Sequence, residues 1–396
     1  MSMKRSETRI IHVGRHPEDW EGIVNPPVYR ASTVLASTVA DLREKNARRA
    51  RDEAGTYYGR FGTPTTRAFE EAIADFEGGY PAPGYPSGLP ACTAALMSYV
   101  SAGDHVLITD NVYSPARNFA DRFLSRFGVA VTYFDPMIGR GIDALIRPNT
   151  RLVYTEAPGS HTFEVQDIPA IADVAHQRGV LVAMDNTWAT PHYFQAFEHG
   201  VDISVQAATK YIVAHSDAML GTVTTNKKAW AQLRDTRAQV GIAVSPDDVY
   251  LGLRGLRTIS VRLPRHWENG LQLAEWLQRQ PEVERVLHPA LPSDPGHALW
   301  KRDFKGASGL FGVMLKSGVT QPAFEALIDG LELYGIGASW GGFESLVLPS
   351  DVAKSRTATK WSPPGPVFRV HAGLEHIDDL IADMNEGFGR LRKSMA

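Results

Sequence analysis

Short apolar runs alternate with helical stretches from about residue 63 onward. The runs are DHVLITD (104–110), VAVTYFD (129–135), RLVYTEAP (151–158), VLVAMDN (180–186) and VDISVQA (201–207). A strand with one wet face alternates apolar and polar residues. These runs are nearly continuous, the pattern of strands covered on both faces in a parallel sheet. Between two of them lies QDIPAIADVAHQRG, where Ile168, Ile171, Ala172 and Ala175 fall on one helix face. Asp167 can cap its start, Pro169 suits its first turn and Gly179 suits its exit. Strand–helix–strand units in series predict a doubly wound α/β sheet.

The pattern differs at both ends. Residues 1–60 have weak periodicity and many charges. The run REKNARRARDE (43–53) reads as a solvated helix face or as part of an arm touching a partner subunit. After about residue 257 come a helix pattern over HWENGLQLAEWLQRQ (266–280), strands near 308–315, a loop at SPPGP (362–366) and a closing helix near 376–392. The expected organisation is an N-terminal arm over 1–62, a large α/β domain over 63–257 and a smaller α/β C-terminal domain over 258–396.

Composition narrows the function classes. The formal net charge of the 396 residues is −3, which favours neither nucleic acid nor an anionic membrane. No apolar run has the length of a membrane span. The opening MSMKRSETRI lacks the apolar core of a secretory signal, so a cytoplasmic protein is expected. Cys92 is the single cysteine, which excludes an intrachain disulfide and a cysteine-rich metal centre. It reads as a small core residue. His12 and His16 are separated by Gly14 and followed by Pro17, which spoils a regular helix face. His215 and His371 read as packed or hydrogen-bonded structural residues, and no metal is expected.

Open α/β sheets bind ligands beyond the carboxyl ends of their strands. VLVAMDN ends in Asp185, and VDISVQA leads at once into Lys210. An amine and a carboxylate on one rim are what pyridoxal phosphate requires: the amine forms an imine and the carboxylate keeps the pyridine nitrogen protonated. The same pair alone also reads as an ordinary ion pair. Three features add to it. Ser87 and Gly88 open a helical stretch, where free N–H groups and the positive dipole end suit a phosphate. Tyr113 follows a strand and reads either as a residue that stacks on a ring or as a structural core tyrosine. YYGRFGTPT (57–65) gathers two tyrosines, Arg60, glycines and Thr63 in one loop; Arg and Tyr are good phosphate donors, and taken alone the segment also reads as an ordinary turn. The glycine pattern GIGASWG (335–341) has no convincing helix after it and supports a nicotinamide site poorly.

The ordered set YGRFGTPT, FDPMIG, EAPGS, MDNTWAT, QAATKY, HSDAMLGT, RGLRT, SWGGFESL and RVHAGLE resembles the cysteine and methionine metabolism family of pyridoxal-phosphate enzymes. The resemblance runs from VNPPVYRAST (24–33) to GLEHIDDLIADM (373–384). It implies the aspartate aminotransferase-like fold type I, with a mainly parallel central sheet. It further implies that Lys210 is the Schiff-base lysine and proton shuttle, and that Asp185 pairs with the pyridine nitrogen. Tyr113 would stack on the ring and share in proton transfer. Gly88, Leu89 and Thr209 would bind the phosphate. Tyr58 and Arg60 would reach into the neighbouring subunit's site, Tyr58 also towards substrate. That makes the site shared and the assembly at least a dimer, with a tetramer usual in the family. Arg369 would grip the substrate carboxylate, as its planar fork allows, with Ser339 and Trp340 lining the pocket.

EAPGS and SWGG are similar to the β-lyase branch rather than to γ-acting relatives. The segment from Tyr113 to Ala116 lacks the cysteine of methionine γ-lyases. The implied activity is carbon–sulfur β-elimination on L-cystathionine, cystine or other cysteine S-conjugates, in methionine synthesis. γ-Elimination or γ-replacement on cystathionine or homoserine esters is the alternative. Pro90, Ala157 and Ala207 depart from the usual alanine, serine and phosphate-binding serine of the family.

Overall fold

The computed structural model describes residues 4–396. Its larger sheet has seven strands: β1 (Gly84–Tyr85), β2 (His105–Thr109), β3 (Ala130–Phe134), β4 (Thr150–Glu156), β5 (Leu181–Asp185), β6 (Ile203–Gln206) and β7 (Gly221–Thr225). They lie in the order β1-β7-β6-β5-β4-β2-β3. The five strands from β6 across to β3 are parallel, and β7 is antiparallel to both its neighbours. All five expected strands are therefore present, in a mainly parallel sheet. Every residue of β2, β6 and β7 is buried, as the unbroken apolar runs require of the first two.

The strand order reverses between β2 and β4, because β3 lies outward of β2 and the chain then crosses back. Such a reversal opens a crevice at the carboxyl ends of the strands. Residues 110–113 follow β2 there, and Glu156 ends β4. Glu156 is in register with Asp185 at the end of β5, and Asp185 with Val205 on β6. The helix Ile168–Gln177 crosses from β4 to β5. Asp167 accepts from the Ala170 N–H at 3.2 Å, and Gly179 takes a φ of 70° at the exit.

The second sheet contains β8 (Val283–Leu287), β9 (Leu310–Leu315), β10 (Tyr334–Ile336), β11 (Ser345–Pro349) and β12 (Val367–His371), in the order β10-β11-β12-β9-β8. Only β10 and β11 pair parallel. The helices Gln321–Asp329 and Ile377–Met395 bury Phe324, Leu380 and Phe388 with Phe311 and Phe368 of the sheet. The helix Ile259–Gln278 ties the two halves together. Ile259 and Leu263 pack in the core of the first, Leu273 and Leu277 in the core of the second. It begins seven residues before the expected 266 and carries Pro264 inside. A proline removes one N–H from the helical ladder, which this burial at both ends offsets.

Near the N-terminus a helix spans Val39–Ala50, capped by Thr38, whose hydroxyl accepts from the Asp41 N–H at 3.0 Å. None of its residues is buried in the isolated chain. Leu35 before it and Val39 and Leu42 within it are exposed. No helix of the described residues is long and apolar enough to cross a membrane.

Candidate active site

A cavity of about 310 Å³ opens at the crevice between β2 and β4. Of the expected site residues, Gly88, Leu89, Tyr113, Asp185, Thr209, Lys210, Ser339, Trp340 and Arg369 all line it. Tyr58 and Arg60 do not. Tyr58 is exposed, and Arg60 donates to the Ala238 carbonyl at 2.9 Å with its guanidinium 4.3 Å from the Phe61 ring centroid.

Lys210 follows β6 in the wide turn Thr209–Val213 and is the one residue there with non-helical backbone angles. Gly341 packs against that backbone so closely that a Cβ would fall 2.9 Å from the Lys210 carbonyl carbon. The Lys210 Nζ donates to Ser339 Oγ at 2.6 Å and sits 5.4 Å from the Trp340 ring centroid. Burial, joined by the positive charge of Arg369, pulls its amine from 10.5 down to about 8, with Asp185 opposing. Arg369, on β12, donates to the Ser339 carbonyl at 2.9 Å and is itself drawn down to about 10 by burial. One loop residue, Ser339, thus touches both the amine and the guanidinium. It adopts a φ of 80°, a left-handed backbone uncommon outside glycine. His371 holds this loop from below: its Nε2 accepts from the Gly341 N–H at 3.1 Å.

In the same cavity Asp185 accepts two bonds from Thr187, from its N–H at 3.0 Å and its hydroxyl at 2.5 Å. The Cys92 thiol lies 3.6 Å from the second carboxylate oxygen. Cys92 is buried as expected, but it also forms part of the cavity wall. Glu156 is a second buried carboxylate beside Asp185. It accepts from the Tyr113 N–H at 2.6 Å and the Ser160 hydroxyl at 2.5 Å. Burial pushes both carboxyls up, and the charge of Asp185 adds to the rise on Glu156. The bonds from Thr187 and the charge of Lys210 oppose the rise on Asp185, as the bonds from Ser160 and the Tyr113 N–H oppose it on Glu156.

The helix Gly88–Met97 starts at the cavity wall with Ser87, Gly88 and Leu89. A Cβ on Gly88 would lie 2.6 Å from the Ala207 Cβ, so only glycine allows this approach. Pro90 falls in the first turn, where no N–H is needed. The Thr209 hydroxyl donates to the Leu220 carbonyl at 3.0 Å and accepts from its N–H at 2.8 Å, so it would have to turn to serve a phosphate.

These residues fit pyridoxal phosphate. A buried acid, an amine of lowered basicity and a glycine-opened helix start line one cavity. Among the titratable lining residues, Glu156 and His161 were not singled out from the sequence. Glu156 ends the run RLVYTEAP, so the rule that selected Asp185 selects it as well. His161 follows it in a loop with no periodicity to signal it.

The fold and the site define a pyridoxal-phosphate enzyme of the aspartate aminotransferase-like class. The model of the Cys/Met metabolism PLP-dependent enzymes matches residues 7–389, and the chain belongs to that family. It is 42% identical to "Cystathionine beta-lyase MetC" of Escherichia coli K12, over 99% of this chain and 100% of that one. It is 39% identical to "L-alanine/L-glutamate racemase" of Wolbachia pipientis wMel, over 98% of each. The crystal structure of metB from Corynebacterium glutamicum superposes with a TM-score of 0.89 at 29% identity, covering 98% of this chain and 99% of that one.

Proposed function

We propose that the chain is a carbon–sulfur β-lyase that cleaves L-cystathionine with water to homocysteine, pyruvate and ammonia, in methionine biosynthesis. Cystine and other cysteine S-conjugates are further substrates. The observation that carries this reading is the pairing on one loop: Ser339 holds Lys210 Nζ at 2.6 Å through its hydroxyl and Arg369 at 2.9 Å through its carbonyl. A base and a carboxylate clamp so placed address the two ends of one Cα–carboxylate unit. The similarity to a cystathionine beta-lyase over the whole chain supports the substrate.

When bound, pyridoxal phosphate supplies an electron sink for negative charge at the substrate Cα. Asp185 holds the ring nitrogen protonated and so keeps that sink effective. Gly88 and Leu89 present N–H groups to the phosphate, with Thr209 beside them. Arg369 binds the α-carboxylate with its planar fork, and Trp340 walls that side. Lys210, which anchors the cofactor, takes the Cα proton once its amine is free. It then returns a proton to the departing sulfur, with Tyr113 as a second donor.

Tyr58 and Arg60 reach the phosphate of a neighbouring subunit, Tyr58 also its substrate. This is consistent with their place outside their own chain's cavity. Residues 1–62 form the arm that makes this contact. Residues 63–257 and 258–396 are the large and small domains, and the assembly is a cytoplasmic tetramer with shared sites. Identifying the keto acid released from L-cystathionine tests the activity. Pyruvate is expected; 2-oxobutyrate would place the enzyme among γ-acting relatives instead.

A further inference from the structure

His161, Phe163, Met219, Leu348 and Ala338 line the same cavity as the amine and the carboxylate clamp. Four of these five are apolar. His161 stands out in two ways. Its backbone takes a φ of 65°, a strained conformation for a residue with a Cβ. Its ring is fixed by one nitrogen only: Nδ1 lies 2.8 Å from Ser350 Oγ, at the end of β11. Nε2 makes no hydrogen bond to another described residue.

We propose that His161 is a specificity-determining residue whose Nε2–H binds the distal polar end of the substrate, the amino-acid end carried by the departing thiol. This rests on the β-lyase reading and extends it to the far side of the sulfur. The chemistry follows from the ring's single partner, Ser350. In the tautomer so assigned, Ser350 donates its hydroxyl proton to Nδ1 and Nε2 carries the ring hydrogen as a donor. A neutral donor suits a carboxylate brought in by the leaving group, since no buried charge is left when the site is empty. Burial and the nearby Arg369 both disfavour the imidazolium, which keeps the ring neutral at physiological pH. An apolar pocket with one fixed donor accepts a thioether chain and selects its polar end.

His161→Asn separates this role from a structural one. Asparagine tolerates the left-handed backbone, and its amide can keep the bond to Ser350, but it has no atom where Nε2 lies. The readout is the ratio of kcat/KM for L-cystathionine to kcat/KM for β-chloro-L-alanine. The chloride leaving group of the second substrate has no polar end. Retention of the cofactor's visible band shows that the variant is folded and loaded. The ratio is expected to fall by at least about tenfold, the loss of one hydrogen bond to a charged group. An unchanged ratio overturns the proposal, whether both activities fall together or neither does. Wild-type protein that releases pyruvate from β-chloro-L-alanine but not from L-cystathionine would refute the substrate reading separately. The ratio is then taken with L-cystine, whose leaving end carries the same amino and carboxylate groups.

Discussion

With Lys210 as the proposed Schiff-base lysine, its lowered basicity should set the pH at which the apoprotein captures pyridoxal phosphate. Only an unprotonated amine attacks the aldehyde. Burial and Arg369 bring this amine from 10.5 to about 8. At neutral pH the reactive form is then ~300 times more abundant than for an ordinary lysine. Capture of pyridoxal phosphate, followed by stopped-flow absorbance, should speed up about tenfold for each pH step of one below 8 and level off above it. Replacing Arg369 by Leu removes the second cause of the shift, so the plateau should move to higher pH. The sign also fixes stability. Between about 8 and 10.5 the unfolded chain binds the Lys210 proton and the folded one does not. The apoprotein is therefore held back below pH 8 and gains stability from this group as pH rises through that window. A capture rate that keeps climbing tenfold per step to pH 10 would refute the reasoning.

Three other substitutions test the site. Asp185→Asn removes the charge proposed to face the ring nitrogen, and kcat should fall by about 10²–10³-fold with the protein still folded. Gly88→Ala drives a methyl to 2.6 Å from the Ala207 Cβ; the strain of about 1–3 kcal/mol should appear as a weaker Kd for pyridoxal phosphate in equilibrium titration. Glu156→Gln keeps an acceptor for the Tyr113 N–H, whereas Glu156→Ala leaves that group unpaired at a cost of about 1–3 kcal/mol, measurable by denaturant unfolding. Because the Glu156 carboxyl is raised in the folded state, the wild-type apoprotein loses stability from it as pH rises above the ordinary carboxylate range, and the glutamine variant should lose less.

The parallel core of the large sheet was legible because strands buried on both faces are written as apolar runs. β7 was not, since GTVTT buries three threonines and a glycine, residues that read as polar or as a turn. The start of the helix at Ile259 was hidden by Pro264, a helix breaker that the local pattern cannot overrule. Asp185 and Lys210 were visible because strand ends carry chemistry in this architecture. Glu156 obeyed the same rule and was missed for want of a partner to name. His161 and Ser339 owe their positions to left-handed backbone at residues with side chains, a choice made by tertiary packing. Ser339 and Trp340 entered through family resemblance alone, and it is the fold that sets Ser339 between Lys210 and Arg369.

The central claim is that Lys210 anchors the cofactor and performs β-elimination. The most direct measurement compares wild-type and Lys210→Ala proteins, each purified with added pyridoxal phosphate, for the visible band of the lysine-bound cofactor and for pyruvate released from L-cystathionine. The wild type should show the band and release pyruvate, homocysteine and ammonia in equal amounts, and the variant should do neither. A variant that turned over L-cystathionine at the wild-type rate would contradict the account.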